Sequence, residues 1–177
     1  MLPIEFNPIK GISIRKVSLP GDTDILKEII FKDHSPSSAS ESEDEAIKAI
    51  YEPLLKDPDI SIYLLGLKKK TLFVAEIFTP LLNTYEYSPK KAIDYVLEIR
   101  LNIDPADEPH ALKALRTLTA GFFAIYHIAR VIVPVSPGRS NDLLLAILKK
   151  ARFEKIKDRT GEEPNMIYAR EQALYTN

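Results

Sequence analysis

One segment constrains this chain more than any other. In Tyr95-Val96-Leu97-Glu98-Ile99-Arg100-Leu101-Asn102-Ile103 every odd position but Tyr95 is aliphatic, and Glu98, Arg100 and Asn102 take even positions. Side chains alternate between the two faces of a strand, so one face here must be buried while the other carries three polar groups. That polar face either meets solvent or lines a cleft, and the spacing leaves both open. The pattern then changes period. Asp107-Glu108-Pro109 opens a helix reaching to about His127, with an acidic first turn, a proline near its start, and apolar residues at 111, 112, 115, 118, 122, 123 and 126. A half-polar strand is thus followed at once by a long amphipathic helix.

The remaining segments extend the series. Ile12 to Val17 reads as a first strand ended by Pro20-Gly21, and Asp22 or Asp24 then caps a helix to about Phe31. His34 to Ser42, rich in serine around Pro36, reads as a loop. Ser42-Glu43-Asp44-Glu45 matches a capping box, and Pro53 limits or kinks the helix that follows. The acidic run ending at Glu45 is explained by that helix start, where negative charge is stabilising, better than by a cation site. Ile60–Leu67 and Thr71–Phe78 form a hairpin about Lys68-Lys69-Lys70. Arg130 to Val135 is a near-continuous apolar strand in which Pro134 has no backbone donor, so one side of the strand should be unpaired near its end. A helix starting near Ser140 or Asn141 follows, and Phe153 to Lys157 and Met166 to Arg170 close the chain as strands.

The 177 residues suit a single domain over 1–177. Lys+Arg number 24 and Asp+Glu 25, so no long-range field gathers a nucleic acid or an anionic membrane. No nucleic-acid or membrane partner is expected. The absence of Cys removes disulfides, thiolate nucleophiles and thiolate metal sites, and no His, Asp or Glu spacing matches a zinc set. The N-terminus lacks the basic and apolar regions of a secretory signal. A cytoplasmic location is expected.

The succession strand, two helices, three strands, helix, strand, helix, two strands resembles the GNAT N-acyltransferase superfamily from Ile12 to Arg170. The resemblance implies an α+β fold whose central mixed, mostly antiparallel sheet of about seven strands is flanked by helices. It also implies that the fourth and fifth strands splay apart to admit the pantetheine arm of acetyl-CoA or another acyl-CoA, and Pro134 fits that gap. Asn141 followed twelve positions later by Phe153 is similar to the family's closing motif, with Arg152 in place of the usual glycine. Val135 to Asn141 is similar to the corresponding turn of the siderophore-biosynthesis acyltransferase branch, without that branch's acid pair at Ser136 and Gly138.

Under the resemblance the cofactor's diphosphate meets the start of the long helix, where the family carries Arg or Gln, two variable residues, Gly, a variable residue, and Gly or Ala. Counting back from Asn141 places His110, Lys113 and Leu115 on those positions, so the glycines are gone and the loop is eroded. A shifted register, Arg116 to Gly121, leaves too few residues for a helix before Arg130. Asp104, Asp107 and Glu108 add carboxylates where a diphosphate would dock, and an ordinary acidic helix cap explains them without any anion.

The cofactor-binding candidates are therefore Leu101 and Ile103 by their backbone, His110, Lys113, Ala114 and Leu115 at the helix start, and Asn141. Acyl transfer to an amine needs a base for the attacking nitrogen and stabilisation of the departing thiolate. The tyrosine many members place seven residues after the motif asparagine is Leu148 here. Glu98 is the candidate base, with an ion pair to Arg100 as the structural alternative, and Ser136 is the candidate donor to the leaving group, with a turn or cap role as its alternative. His127 and His34 carry neither role convincingly. The segments Pro80 to Lys91 and His34 to Ser42 would border the pocket of a small-molecule amine or hydroxylamine. The rival expectation is a non-enzymatic GNAT-fold binding protein that no longer uses CoA. The sequence leaves a homodimer open.

Overall fold

The computed structural model describes residues 11–31, 40–67, 70–78, 94–101, 105–125, 130–135, 141–156 and 166–171. Among them, seven strands form one sheet in the order β1-β2-β3-β4-β5-β7-β6. These are β1 (Ile12–Lys16), β2 (Ile60–Leu67), β3 (Lys70–Phe78), β4 (Asp94–Leu101), β5 (Arg130–Val135), β6 (Glu154–Ile156) and β7 (Met166–Glu171). Every neighbouring pair is antiparallel except β4 and β5, which are parallel and joined through the longest helix. The helices are α1 (Thr23–Ile30), α2 (Ser40–Lys56), α3 (Glu108–Ile125) and α4 (Asp142–Lys150).

Period-2 strands with both faces apolar need cover on both sides, and the helices divide accordingly. On one face Val17, Ile62, Leu64 and Val74 meet Leu26 and Ile29 of α1 and Ile47 and Tyr51 of α2. On the other, Ile14, Tyr63, Leu65, Phe73 and Ala75 join Val131, Val133 and Val135 beneath Leu115, Leu118 and Phe122 of α3 and Leu144, Ile147 and Leu148 of α4. The alternation in β4 maps onto these layers through its register with β3. Leu97, Ile99 and Leu101 are opposite Ile77, Ala75 and Phe73, whereas Glu98 and Arg100 are opposite Glu76 and Val74.

Several local expectations are revised. Asp22 occupies the position before α1, but its carboxylate accepts from Arg15 and from the backbone N–H of Ser18 instead of capping the helix. Burial alone would raise the Asp22 pKa; the Arg15 and Ser18 hydrogen bonds, with the guanidinium charge, outweigh it and hold the carboxyl below its usual range. Helix α2 begins two residues before Ser42, so the capping-box residues lie inside it, and it continues past Pro53 to Lys56. Lys27 of α1 ties Asp24 and Asp44 together, and its hydrogen bonds to these two carboxylates raise its pKa. The β2–β3 ladder shifts register between Leu65 and Gly66, and a Cβ on Gly66 would stand 2.8 Å from the carbonyl oxygen of Lys70.

The end of α4 explains the departure from the asparagine–phenylalanine motif. Phe153 N–H bonds to Leu148 O at 2.9 Å and Arg152 N–H to Lys149 O at 3.1 Å, the paired bonds of a Schellman termination, with Leu148 and Phe153 both buried in the same core. Arg152 has φ +65°, so the position that holds glycine in the GNAT pattern keeps the left-handed backbone that glycine suits.

Candidate functional site

The sheet opens between β4 and β5. Asp94, Tyr95 and Val96 pair with Arg130, Val131 and Ile132, and there the shared ladder stops. Both strands nevertheless continue. Residues Leu97 to Leu101 remain paired to β3 on the far side, and Val133 to Val135 remain paired to β7. Two half-sheets therefore diverge from a common closed end, leaving the facing edges of 97–101 and 133–135 without a strand partner among the described residues. Unpaired strand edges carry backbone donors and acceptors that call for a ligand, solvent or another segment. Pro134 sits on the diverging part of β5, opposite Ile167 of β7. A residue without an N–H loses nothing by facing a gap.

The closed end carries charge. Arg130 is buried, and its register partners on either side are Asp94 of β4 and Glu171 of β7. It lies where the half-sheets are still joined.

The start of α3 follows β4. A 3-10 turn at Pro105–Asp107 leads into Glu108, the first residue of the helix. Asp107 pairs with Lys70 from the start of β3 and has His110 within 3.9 Å, and Glu108 accepts from Lys150 at the end of α4. Arg116 in turn donates to the backbone carbonyl of Lys150. Two of the three carboxylates expected to oppose a diphosphate, Asp107 and Glu108, are thus each matched by a lysine from a distant element. Those lysine side chains are more than half exposed, and exposed pairs of this kind contribute only about 0–1 kcal/mol. They can be rearranged cheaply.

The helix-start candidates separate. His110 and Lys113 are exposed, whereas Ala114 and Leu115 are buried under α3 in the core. Lys113, Ala114 and Leu115 also lie past the first turn, where backbone N–H groups already bond within the helix. The side chains of Ala114 and Leu115 thus do packing work, and any anion site would use the turn before them. Asn141 immediately precedes α4 and makes no side-chain cap bond there. Glu98 and Leu101 have defined places on β4, opposite Glu76 and Phe73. Ser136, Ile103, Asp104, His34, His127 and the segment Pro80 to Lys91 lie outside the described residues, as does most of the loop His34 to Ser42.

The sheet also buries an acid. Glu76 is 3% exposed, yet it is an acid in the middle of β3. The Tyr51 hydroxyl donates to its Oε1 at 2.8 Å, and Tyr51 is itself fully buried. In sequence the only trace is a lone carboxylate in the apolar run Thr71 to Phe78. Among the described residues, no group of three or more His, Asp or Glu is placed to hold a metal ion, and no helix is long and apolar enough to cross a membrane.

No protein-family model and no curated protein matches the sequence. Solved structures do match the fold. A protein of Bacillus halodurans aligns with a TM-score of 0.70 at 15% identity, over 93% of this chain and 86% of that one. A spermidine N-acetyltransferase of Vibrio cholerae aligns with a TM-score of 0.65 at 13% identity, over 96% and 98%. The aminoglycoside acetyltransferase AAC(6')-Ib, in complex with ribostamycin and coenzyme A, aligns with a TM-score of 0.65 at 16% identity, over 92% and 94%. The chain has the fold of these N-acetyltransferases, as its resemblance to the GNAT superfamily implied.

Proposed function

We propose that the protein is an acyl-CoA-dependent N-acyltransferase acting on a small amine or hydroxylamine. The observation that carries this reading is the ladder between β4 and β5, which ends after Val96 and Ile132 while both strands run on. A slot with a strand edge on each wall suits an extended amide-bearing chain, and pantetheine is such a chain. Structures of the same fold hold coenzyme A, and their acceptors include spermidine and an aminoglycoside. Both supply the chemical precedent.

In this reading the backbone at Leu101 and Ile103 would hold the pantetheine arm. The turn before α3 would receive the diphosphate, with His110, Lys113 and the lysines now held by Asp107 and Glu108 as cations. Lysines act there as point charges, in place of the close backbone approach that glycines permit. Asn141 would hold the entry to α4. When bound, the acyl thioester supplies an activated carbonyl carbon. Glu98 takes the proton from the attacking nitrogen, directly or through one water, as the new N–C bond forms. Ser136 donates a hydrogen bond to the sulfur as the C–S bond breaks, and the thiolate leaves with the electron pair. The protein works in this scheme as a single domain with no metal.

The second reading, a GNAT-fold binding protein that no longer uses CoA, has one observation in its favour. The start of α3 carries no glycine, and its two carboxylates are already satisfied by lysines. Calorimetric titration with acetyl-CoA separates the two. Micromolar binding is expected, and an absence of heat at millimolar ligand removes the transferase reading. With binding established, Glu98→Gln is expected to lower kcat by about 100-fold or more with spermidine as acceptor, and an unchanged rate across the pH profile removes Glu98 as the base.

A further inference from the structure

The end of α4 lies against the first turns of α3. Lys150 pairs with Glu108, the first residue of α3, while its backbone carbonyl accepts from Arg116 further along that helix. Arg116 belongs to a row. His110, Lys113 and Arg116 recur at every third position of α3, and all three are exposed. Positions three apart wind slowly around a helix, so the row leads from the turn before α3 to the end of α4 over about 9 Å of helix axis. Asp107 and Glu108, the acids at the start of this row, are matched by Lys70 and Lys150. Two residues past Lys150 stands Arg152, exposed and with no side-chain partner among the described residues. Its φ of +65° is a conformation that glycine adopts freely and that a Cβ opposes. Cations beside a helix C-terminus are stabilising, but Lys149 and Lys150 already occupy the last turn of α4. The dipole therefore leaves a third cation in strained backbone unexplained, and strain of this kind is found where a side chain serves a ligand.

We propose that Arg152 and Arg116 form a subsite for the 3'-phosphate on the ribose of the acyl-CoA donor, so that the protein selects coenzyme A over a donor lacking that group. The inference rests on the reading of the chain as an acyl-CoA-dependent transferase and adds a recognition element to it. A phosphate monoester carries a charge of about −1.5 to −2 near neutral pH and three acceptor oxygens, and a planar guanidinium can meet two of those oxygens at once. A lysine offers only a point charge. The bond from Arg116 to the Lys150 carbonyl uses one of five guanidinium N–H donors, which holds the group beside the end of α4 and leaves the others for a ligand. The backbone of Arg152 is fixed by the paired hydrogen bonds that terminate α4, so its side chain departs from a set place beside that group. Glycine at this position would relieve the backbone and lose the contact with the phosphate.

The test is calorimetric titration of the full chain, at low salt, with coenzyme A and with 3'-dephospho-coenzyme A. The wild type is expected to bind coenzyme A about 10-fold more tightly than the dephospho form, the equivalent of one exposed charge-assisted contact. Arg152→Gly removes the guanidinium at a position whose backbone glycine accepts, so the variant folds, and its melting curve verifies this. In that variant the preference is expected to fall to about 2-fold or less, through weaker binding of coenzyme A alone, with the dephospho form bound as tightly as by the wild type. Arg116→Gln, which can still donate to the Lys150 carbonyl, is expected to reduce the preference in the same way. A preference that survives in Arg152→Gly, an equal loss for both ligands, or a wild type that binds the two forms equally well overturns the subsite while the transferase reading stands. A wild type that binds neither form at millimolar concentration removes the transferase reading, and the subsite with it.

Discussion

Replacing Arg152 by glycine is expected to stabilise the protein. Arg152 is the sole non-glycine residue with positive φ among the described residues, at +65°, and it closes α4 in a Schellman turn whose two hydrogen bonds are in place. A Cβ in the left-handed region costs about 1–2 kcal/mol. Glycine offsets part of that gain, because it frees the unfolded chain by about 0.4–1 kcal/mol. Loss of the cation beside the helix C-terminus removes a further contribution of about 0.3–1 kcal/mol at low ionic strength, which salt suppresses. The net expectation in moderate salt is a gain of about 0.5–1 kcal/mol. For a chain of this size, that corresponds to a rise of about 2 °C in Tm. In urea, a slope of about 2 kcal/mol/M places the midpoint about 0.3–0.5 M higher. Arg152→Ala is the control. It loses the same charge but keeps the Cβ, so its midpoint should match the wild type or fall slightly below it. Equal stabilisation of the glycine and alanine variants would refute the reasoning, since the gain could not then come from the backbone conformation.

Two further outcomes follow from named contacts. Asp22→Asn is expected to cost about 1–3 kcal/mol at neutral pH, because the carboxylate accepts charge-assisted bonds from Arg15 and a backbone bond from Ser18. The folded Asp22 pKa lies below the unfolded value near 3.8. Its stabilisation is therefore complete above that value and is lost as pH falls through the lower folded one, so urea midpoints of the two proteins should converge below about pH 4. A gap that stays constant to pH 2 contradicts the assignment. Gly66→Ala is expected to destabilise by about 1–3 kcal/mol, since the added Cβ meets the Lys70 carbonyl oxygen in rigid backbone at 2.8 Å. A midpoint within about 0.3 M of the wild type would show that the β2–β3 bulge yields more easily than a packed sheet should.

Much of the fold was legible because its signals are local. The strict alternation from Leu97 to Ile103, the helical spacing after Glu108 and the proline in the fifth strand are each properties of one element. Backbone geometry sets those periods whatever the neighbours are. Errors fell where side chains had two partners to choose from. Asp22 can cap a helix by its sequence position, but Arg15 lies on the adjacent strand, and a charge-assisted pair outcompetes a cap. Ser42 does not cap because helix α2 starts before it.

The candidate site divides along the same line. Sequence alone determined the alternation of β4 with Glu98 among its polar positions, the missing donor at Pro134, and the absence of glycine from the start of α3. Each is a property of one residue and its immediate neighbours. Tertiary structure alone decided that the β4–β5 ladder stops at Val96 and Ile132, that Lys70 and Lys150 meet Asp107 and Glu108, and that a buried Glu76 stands opposite Glu98. These are pairings between residues 22 to 42 positions apart. Strand register and helix docking select such pairs through the burial of whole faces, a quantity to which no short stretch of chain has access.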